Sequence, residues 1–519
     1  MLGNKLPSCY FRPMTEKYID KIIKARVYDV ADETPLDKAN LLSMRLSCNV
    51  FMKREDLQPI FSFKLRGAYN KMVQLTGKAR TQGVIAASAG NHAQGVALAS
   101  SKLGIAATII MPRTTPRIKI DAVQNLGAHI VLHGDTYDDA YEHGQQLAES
   151  EGLTFIHPFD DSDVIAGQGT VAMEILHQFS DDIHAIFIPV GGGGLIAGMA
   201  AYLKHVQPEI KVIGVEPEDA PSMQQALLND ERIILDHVGL FADGVAVRQV
   251  GVENFRIART CVDEMILVSA DEICAAIKDI FDDTRSIMEP AGALAVAGLK
   301  KYIRQHSLTD KNLIAINSGA NLNFDRLRHV AERAEIGEER EALLAVSIPE
   351  KPGSFRAFCQ VIGHRGITEF NYRYADDEQA HIFAGVQLSH GFSEKEELLQ
   401  QLSSLDYPVI DMTDNEMAKL HIRYMVGGHA KNVHNERVYR FQFPERPGAL
   451  LRFLTHVGQE WNISMFHYRN HGADYGRVLV GIQVPDNECD RFDVFLQQLG
   501  YEYWEEQSNE AYQLFLGKH

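Results

Sequence analysis

The chain has 519 residues, of which 45% are apolar and 23% are charged, and its formal net charge is −18. At roughly 150 residues per domain, this length predicts about three folding units of an ordinary globular protein. An acidic chain repels nucleic acid and anionic membranes, so neither is an expected partner. The six cysteines form no CxxC pair, which argues against a zinc site or a disulfide framework. The sequence contains no apolar signal core and no transmembrane run, which predicts a cytoplasmic protein.

Short apolar runs alternate with amphipathic stretches from about residue 84 to residue 318. The apolar runs, which are typical of buried strands, cover residues 84–87, 106–111, 129–132, 185–190, 212–215 and 313–317. Strands that alternate with helices predict an α/β domain with doubly wound, mostly parallel sheets. Ligands of such sheets bind at the carboxyl ends of the strands. Chemistry is therefore expected in the loops that follow the apolar runs.

A lysine lies where a helix is predicted to begin, in the segment SFKLRGA. Lys64 would sit at the positive end of the helix dipole, which favours its neutral amine. A neutral amine is the nucleophile that a Schiff base requires. The alternative is a solvated surface lysine, which is the usual situation of this residue.

The segment SAGNHAQG joins a predicted strand to the next predicted helix. Backbone amides at a helix start bind carboxylates, and the side chains of Ser88 and Asn91 would add donors. His92 follows them, and a structural histidine at the helix cap is favoured over a catalytic base. The loop is therefore a predicted carboxylate site.

Four consecutive glycines, Gly191 to Gly194, lie between a predicted strand and a predicted helix. Successive glycine amides form a concave anion site and allow a close backbone approach. No Lys-Ser/Thr pair follows, and the dinucleotide fingerprint is absent, so this is neither a nucleotide P-loop nor a dinucleotide loop. The segment predicts a phosphate site, with a simple tight turn as the alternative.

Ser318 ends a late apolar run, in the segment LIAINSGANLNF. A serine at a strand end is placed to hydrogen-bond the nitrogen of a heterocycle. The alternative is a common Ser-Gly turn. This segment alone is weak evidence for a site, and it becomes informative only together with the lysine, SAGNHAQG and glycine segments.

The pattern changes near Asp325, where a charged helical segment is typical of a neck between domains. An internal repeat follows, in which IPEKPGSFRAF is matched by FPERPGALLRF, and the Pro-Gly turns at Pro352 and Pro447 lie 95 residues apart. Each copy predicts a strand, a turn, a helix and two further strands. The predicted organisation is a first domain at 1–325 with a smaller subdomain at about 83–160, a neck at 326–341, and two α+β modules at 342–415 and 436–519.

The four segments, in this order, resemble the fold type II family of pyridoxal-phosphate enzymes, over about residues 5–324. The resemblance implies that Lys64 carries the cofactor and removes the substrate's Cα proton, and that Ser318 bonds the pyridine nitrogen. It implies that Asn91 bonds the ring hydroxyl oxygen and that backbone amides hold the phosphate at Gly191, Gly192, Gly193, Gly194 and Leu195. The implied substrate-binding residues are Ser88, Ala89, Gly90, Asn91 and His92. Glu289 resembles a family position near the cofactor ring.

With its C-terminal repeat, the whole chain resembles the biosynthetic threonine deaminases, whose regulatory domain has two ACT-like modules. The resemblance implies deamination of L-threonine, and also of L-serine, with 2-oxobutanoate and ammonia as products of threonine. It also implies inhibition by isoleucine, antagonism by valine and a homotetramer. Catabolic dehydratases lack the tandem modules, and threonine synthase would need basic residues that SAGNHAQG does not offer. A non-catalytic amino-acid sensor is the alternative from another class.

Candidate effector contacts follow the two Pro-Gly turns, where helix-start amides would hold an amino acid's carboxylate. The apolar residues that would seat a branched side chain are Phe355, Leu450, Leu451 and Leu454. The alternative is that these residues are ordinary core positions of amphipathic helices.

The sequence departs from the related serine racemases at two positions. Ala89 stands where the racemases have a serine that acts as a base on the opposite face of the substrate. The segment VEPEDAPSM resembles their cation loop at Glu216 and Ala220, but Ser222 replaces an expected aspartate. One-sided proton transfer is therefore expected. No divalent metal site is predicted, and a monovalent cation is the alternative for this loop.

Overall fold

The computed structural model describes residues 12–349, 358, 360–363, 365, 367–374, 379–424, 435–444, 461–469 and 475–516. The chain divides into two compact units, Met1–Ala334 and Glu335–His519. None of the helices in these described ranges is long and apolar enough to cross a membrane.

A six-stranded sheet forms the centre of the first unit. Its strands are β1 (Leu36–Lys38), β2 (Asn49–Arg54), β7 (Ala185–Pro189), β8 (Lys211–Pro217), β9 (Glu264–Val268) and β10 (Asn312–Asn317). They lie in the order β1-β2-β10-β7-β8-β9, and only the β1–β2 pair is antiparallel. The predicted α/β class with mostly parallel sheets is confirmed.

A separate four-stranded sheet holds the smaller part of this unit. Its strands are β3 (Val84–Ala87), β4 (Ala107–Met111), β5 (His129–Leu132) and β6 (Thr154–Phe155). All three pairings are parallel, in the order β5-β4-β3-β6. The predicted strand bounds of β3 and β5 match the observed ones.

Helices connect these strands as a doubly wound fold requires. They are α1 (Arg12–Ile23), α2 (Asn40–Leu46), α3 (Lys64–Met72), α4 (Gly77–Gln82), α5 (Asn91–Leu103), α6 (Arg117–Asn125), α7 (Tyr137–Glu151), α8 (Ser162–Gln178), α9 (Gly194–Val206), α10 (Ser222–Asn229), α11 (Val252–Cys261), α12 (Ala270–Thr284), α13 (Pro290–His306) and α14 (Arg326–Gly337). Thr136 and Ser269 open α7 and α12 with capping boxes, in which the side chain of the N-cap residue accepts a backbone hydrogen bond.

The six-stranded sheet is buried on both faces because side chains alternate along each strand. On β7, Ala185 and Phe187 contribute to a core with residues of α12 and α13. Ile186 and Ile188 contribute to a second core with residues of α8 and α9. This double coverage explains why the strand is an unbroken apolar run in the sequence.

A fully buried charge network joins α3 to α8 and β2. Arg66 donates two hydrogen bonds to Glu55, at 2.7 and 2.8 Å, and two to Glu174, at 2.5 and 3.0 Å. Lys53 lies 2.6 Å from the second carboxylate. Two cations thus face two carboxylates, so their charges balance. Because Arg66 lies two residues after Lys64, the network also holds the start of α3 in place.

The second unit contains two four-stranded antiparallel sheets. Their strands are β11 (Glu341–Pro349), β12 (Ile367–Tyr374), β13 (Gln379–Gln387), β14 (Val409–Asp411), β15 (Glu436–Pro444), β16 (Asn462–Arg469), β17 (Tyr475–Gln483) and β18 (Glu502–Glu505). The orders are β12-β13-β11-β14 and β16-β17-β15-β18. The described helices are α15 (Gly391–Ser404), α16 (Glu416–Leu420), α17 (Cys489–Leu499) and α18 (Glu510–Phe515).

The two sheets repeat the same strand register. Glu341 pairs with Gln387 at one end of the β11–β13 ladder, and Glu436 pairs with Gln483 at the corresponding end of β15–β17. Each sheet also has a register shift near the start of its edge strand, β12 or β16. The predicted α+β repeat is thus confirmed in the described residues. The Pro-Gly turns lie outside the described residues, and so do the candidate effector residues Phe355, Leu450, Leu451 and Leu454.

The modules share one apolar core and each also has its own. Leu343 and Phe383 of the first module and Val438 and Leu479 of the second belong to the shared core, together with Phe515 of α18. Alternate residues of β11 and β15 point the other way, toward α15 and α17 respectively. The second unit is therefore one folded body made of two similar halves.

Candidate active site

Lys64 is the first residue of α3, at the carboxyl edge of the six-stranded sheet. Its Nζ lies 3.3 Å from the carbonyl oxygen of Pro158. Burial of the amine lowers the pKa of Lys64 to about 8, although the carboxyl of Glu289 acts in the opposite direction. The positive end of the α3 dipole also favours the neutral amine. A desolvated amine of this kind does not fit the alternative of a solvated surface lysine.

Backbone contacts join Lys64 to the end of β10. Ser62 forms an isolated bridge with Gly319, and the amide of Phe63 donates to the carbonyl of Ser318 at 3.3 Å. Ser318 is buried, and its Oγ donates to the carbonyl of Ala291, in the first turn of α13, at 3.3 Å. The structure therefore brings the predicted cofactor lysine and the predicted pyridine partner to one edge.

The loop between β3 and α5 holds the predicted carboxylate-binding residues. Ser88, Ala89, Gly90 and Asn91 are all partly exposed, and the amide of Gly90 donates to Ser88 Oγ at 3.2 Å. His92 is buried, with its Nε2 2.8 Å from the carbonyl oxygen of Ile156. Burial lowers the pKa of His92 to about 3, so the ring is neutral at physiological pH. This contact fits the structural alternative for His92.

Asn91 lies between two polar side chains that are distant in sequence. Its Nδ2 donates to Glu289 Oε1 at 2.6 Å, and its Oδ1 accepts from Asn321 Nδ2 at 2.7 Å. Burial raises the pKa of Glu289 to about 7, with a further contribution from Asp243. A Cβ on Gly319 would approach Glu289 Oε1 to 2.5 Å, so only glycine fits there without a shift. The SAGN and SGAN segments thus meet directly at the Asn91–Asn321 bond, and Glu289 accepts a hydrogen bond from Asn91 beside it.

The glycine loop runs from the end of β7 into α9. Gly193 has φ 92°, a left-handed conformation that favours glycine. A Cβ on Gly192 would overlap the ring of Phe159, and one on Gly191 would lie 2.9 Å from Val245 Cα. The amides of residues 191–195 donate to no partner among the described residues. Unpaired amides at the start of a 13-residue helix are the donor set that a phosphate requires.

Residues 157–161 contact both Lys64 and the glycine loop. The sequence pattern did not predict this segment as part of the site. Pro158 contacts the lysine amine, and the ring of Phe159 packs where side chains on Gly192 and Gly194 would lie. His157 Nδ1 accepts from the amide of Asp160 at 2.8 Å. The one available sequence signal was an Asp-Asp pair before an apolar helix, which is typical of an N-cap.

The carboxylate of Glu216, at the end of β8, binds the backbone amides at the start of α10. Glu216 Oε1 accepts from the amide of Met223 at 2.7 Å, and Oε2 accepts from that of Gln224 at 2.9 Å. Ser222, which stands in place of the aspartate of the racemases, also donates to this carboxylate. Across the described residues, no group of three or more His, Cys, Asp or Glu side chains is arranged to hold a metal ion.

The arrangement offers groups for three parts of pyridoxal phosphate: its aldehyde carbon, its phosphate and its pyridine nitrogen. Lys64 supplies a desolvated amine, residues 191–195 supply amides for a phosphate, and Ser318 lies at the same sheet edge. The glycines let Phe159 and Val245 pack directly against the loop, where any Cβ would clash. The fold and these groups define a fold type II pyridoxal-phosphate enzyme.

Comparison with known proteins gives the same class and a narrower family. Residues 27–319 match the family described as pyridoxal-phosphate dependent enzyme. Residues 332–422 and 427–516 each match the C-terminal regulatory domain of threonine dehydratase. The chain belongs to the biosynthetic threonine dehydratases, which are pyridoxal-phosphate-dependent lyases.

Individual relatives agree over nearly the whole length. The chain is 55% identical to L-threonine dehydratase biosynthetic IlvA of Burkholderia multivorans, over 96% of this chain and 99% of the relative. It is 52% identical to the Escherichia coli enzyme of the same name, over 97% and 98%. Among solved structures, the processed form of threonine deaminase isoform 2 from Solanum lycopersicum is 51% identical, with a TM-score of 0.62, covering 63% of this chain and 89% of that one.

Proposed function

We propose that the protein deaminates L-threonine, and also L-serine, and that threonine yields 2-oxobutanoate and ammonia. The observation that carries the proposal is the desolvated Lys64 amine at the sheet edge that also presents the amides of residues 191–195. When bound, the cofactor withdraws electrons from the Cα–H bond of the amino acid linked to it. The residues of the chain anchor that group, orient the substrate and move the proton.

Lys64 acts as covalent anchor and then as base. With a pKa of about 8, part of its amine is neutral at physiological pH, and the neutral amine takes a proton. Pro158 accepts a hydrogen bond from Nζ, and such a contact holds the amine at a defined position when it is protonated. Glu289 lies near enough to stabilise that charge.

The loop at residues 88–91 binds the substrate carboxylate through amides at the start of α5, with Ser88 as the side-chain donor. The side chain of Asn91 would bond the ring hydroxyl oxygen of the cofactor. Ala89 carries no group that titrates, so this loop offers no second base. One-sided proton transfer favours elimination of the β-hydroxyl over racemisation.

Ser318 is the proposed partner of the pyridine nitrogen. A neutral hydroxyl does not hold a proton on that nitrogen as a carboxylate would. With Ser318 as its partner, the cofactor would withdraw electrons more weakly, and prompt loss of the substrate's β-hydroxyl group would be favoured. The assignment supports dehydration rather than transamination.

The decisive experiment compares keto-acid production from threonine, serine and O-phosphohomoserine by the wild type and by Lys64→Ala. Wild type is expected to act on the first two, and the variant to lose several orders of magnitude of turnover while remaining folded. The long-wavelength absorbance of the lysine-bound cofactor should also disappear. More than a tenth of wild-type turnover in the variant would contradict the assignment of Lys64.

Regulation is proposed for the second unit. The catalytic groups all lie in the first unit, yet a second unit with two similar modules follows. Isoleucine is expected to favour the low-activity state and valine the high-activity state, because regulation requires different affinities for the two states. The contacts proposed for the effectors are Phe355, Leu450, Leu451 and Leu454.

Truncation near Glu335 and the point change Leu450→Ala test this regulation. Either change should leave cofactor absorbance intact and weaken inhibition by isoleucine. Undiminished inhibition of the truncated, folded enzyme would place the sensor in the first unit. The cytoplasmic location and the homotetramer stay predictions, and sedimentation analysis of the purified protein tests the latter.

A further inference from the structure

An asparagine that belongs to none of the four motifs contacts the glycine loop from the start of α11. Asn254 is the third residue of α11 and is fully buried. Its Nδ2 donates to the carbonyl oxygen of Gly192 at 2.7 Å and to that of Phe159 at 3.1 Å. The amide of Gly251 also donates to the Gly192 carbonyl, at 3.1 Å. Two donors at the start of α11 therefore bind the carbonyl group of the peptide between Gly192 and Gly193.

The orientation of the Asn254 amide carries an energetic penalty. Its Oδ1 is buried and meets no hydrogen-bond donor within the described ranges of the chain. Turning the amide over would be worse, because Oδ1 would then face two carbonyl oxygens. A buried polar atom without a partner costs about 1–3 kcal/mol. The two donors toward the loops are maintained against that penalty, which is what a functional constraint produces.

Fixing the Gly192 carbonyl also fixes the amide that follows it. In a planar trans peptide, the C=O of one residue and the N–H of the next point in opposite directions. With the Gly192 oxygen turned toward α11, the N–H of Gly193 points away from that helix. Gly193 is the left-handed residue of the loop, and a Cβ there would lie 3.0 Å from Asn254 Cβ.

We propose that Asn254 is a positioning residue for the cofactor phosphate. It locks the peptide between Gly192 and Gly193 so that the amides of the loop converge on one anion before the cofactor arrives. Preorganised donors bind an anion more tightly than donors that must first be ordered. The proposal rests on the phosphate site of the proposed function and is independent of the substrate.

The test uses full-length protein freed of cofactor, in the wild type, Asn254→Ala and Asn254→Ser. Binding of pyridoxal phosphate, of pyridoxal and of inorganic phosphate is measured by calorimetric titration. Asn254→Ala should weaken pyridoxal phosphate and inorganic phosphate by about tenfold. Pyridoxal, which lacks the phosphate, should bind as it does to the wild type. The serine of Asn254→Ser retains one donor and should give an intermediate loss.

Asn70→Ala is the matched control. Asn70 is also a buried asparagine that binds backbone groups of two other segments, at Arg26 and Asp163. The control should lower thermal stability without changing the ratio of pyridoxal phosphate to pyridoxal affinity. If Asn254→Ala left that ratio unchanged, or weakened pyridoxal equally, Asn254 would be a structural residue and the proposal would be wrong. If the wild type itself bound no phosphate and did not distinguish the two cofactor forms, the phosphate site would fail as well.

Discussion

Replacing Arg66 by methionine removes the centre of the buried charge network while keeping much of the side chain's volume. The variant leaves Glu55 and Glu174 buried, with Lys53 as the remaining cation of the network. Removing one partner of a buried ion pair costs about 3–5 kcal/mol, because the other charge loses its compensation. For a unit of 334 residues, the calorimetric unfolding transition should fall by about 4–7 °C.

The pH dependence makes this prediction specific. Burial acts to raise the pKa of Glu55, but the guanidinium of Arg66 prevails and holds that pKa below its ordinary value. Such a carboxylate contributes stability above its unfolded pKa, and the contribution is lost as the pH falls through the folded pKa. Without Arg66 the effect of burial remains, so the variant should lose stability as the pH rises. The gap between wild type and variant should be larger at pH 8 than at pH 4, because protonation of the variant's carboxylate at the lower pH relieves part of the penalty of burial.

Scanning calorimetry of cofactor-free protein at both pH values measures the gap. Arg117→Met serves as the control, because Arg117 pairs with Asp121 at the surface and exposed pairs contribute less than about 1 kcal/mol. A shift for Arg66→Met no larger than for this control, or one that is equal at pH 4 and pH 8, would refute the reasoning.

Three further predictions concern the active site. Ala89→Ser should raise racemisation of threonine detectably by adding a group on the second face, whereas inversion of recovered threonine by the wild type would contradict one-base catalysis. Ser318→Asp should strengthen electron withdrawal and increase abortive transamination, measured as pyridoxamine phosphate formed; unchanged partitioning would exclude Ser318 as the nitrogen's partner. Burial raises the pKa of Glu289 from 4.5 to about 7, so its ionisation destabilises the cofactor-free fold as the pH rises through that window. Glu289→Gln should therefore be more stable than the wild type at pH 8 by about 1–3 kcal/mol and nearly equal at pH 4, and equal stability at both pH values would contradict the raised pKa.

The elements that the sequence predicted best are those with strong local signals. Strand β3 and helix α5 lie where an apolar run and an amphipathic stretch placed them, and β3 is buried at every position. Strand β5 also lies where its apolar run placed it, although its end residues His129 and Leu132 are exposed. The predicted alternation began at about residue 84 and missed β2, although β2 pairs with β10 in the main sheet. Its sequence, NVFMKR, has charged residues at its end, and tertiary ion pairs rather than local pattern explain why they are buried.

The candidate site shows the same division between local and long-range information. Gly191 to Gly194, Lys64 and Ser318 stood out because each ends or begins a predicted element. Asn254 and Pro158 did not stand out, because their roles depend on long-range contacts. Asn254 binds Gly192, 62 residues away in sequence, and Pro158 contacts Lys64, 94 residues away. The bond between Asn91 and Glu289 spans 198 residues, and no periodicity within one sequence reveals such a pair.

The core that the two regulatory modules share has a consequence for how the second unit stays assembled. A chain with a single module would expose the apolar face that carries Leu343 and Phe383, and it would have to bury that face against another copy. Two separate copies would pair only above their dissociation constant. Joining the copies in one polypeptide makes the pairing intramolecular, with an effective concentration set by the connecting segment. Dilution therefore does not separate the halves, and the pairing on which any effector site in this unit depends persists at every concentration of the enzyme.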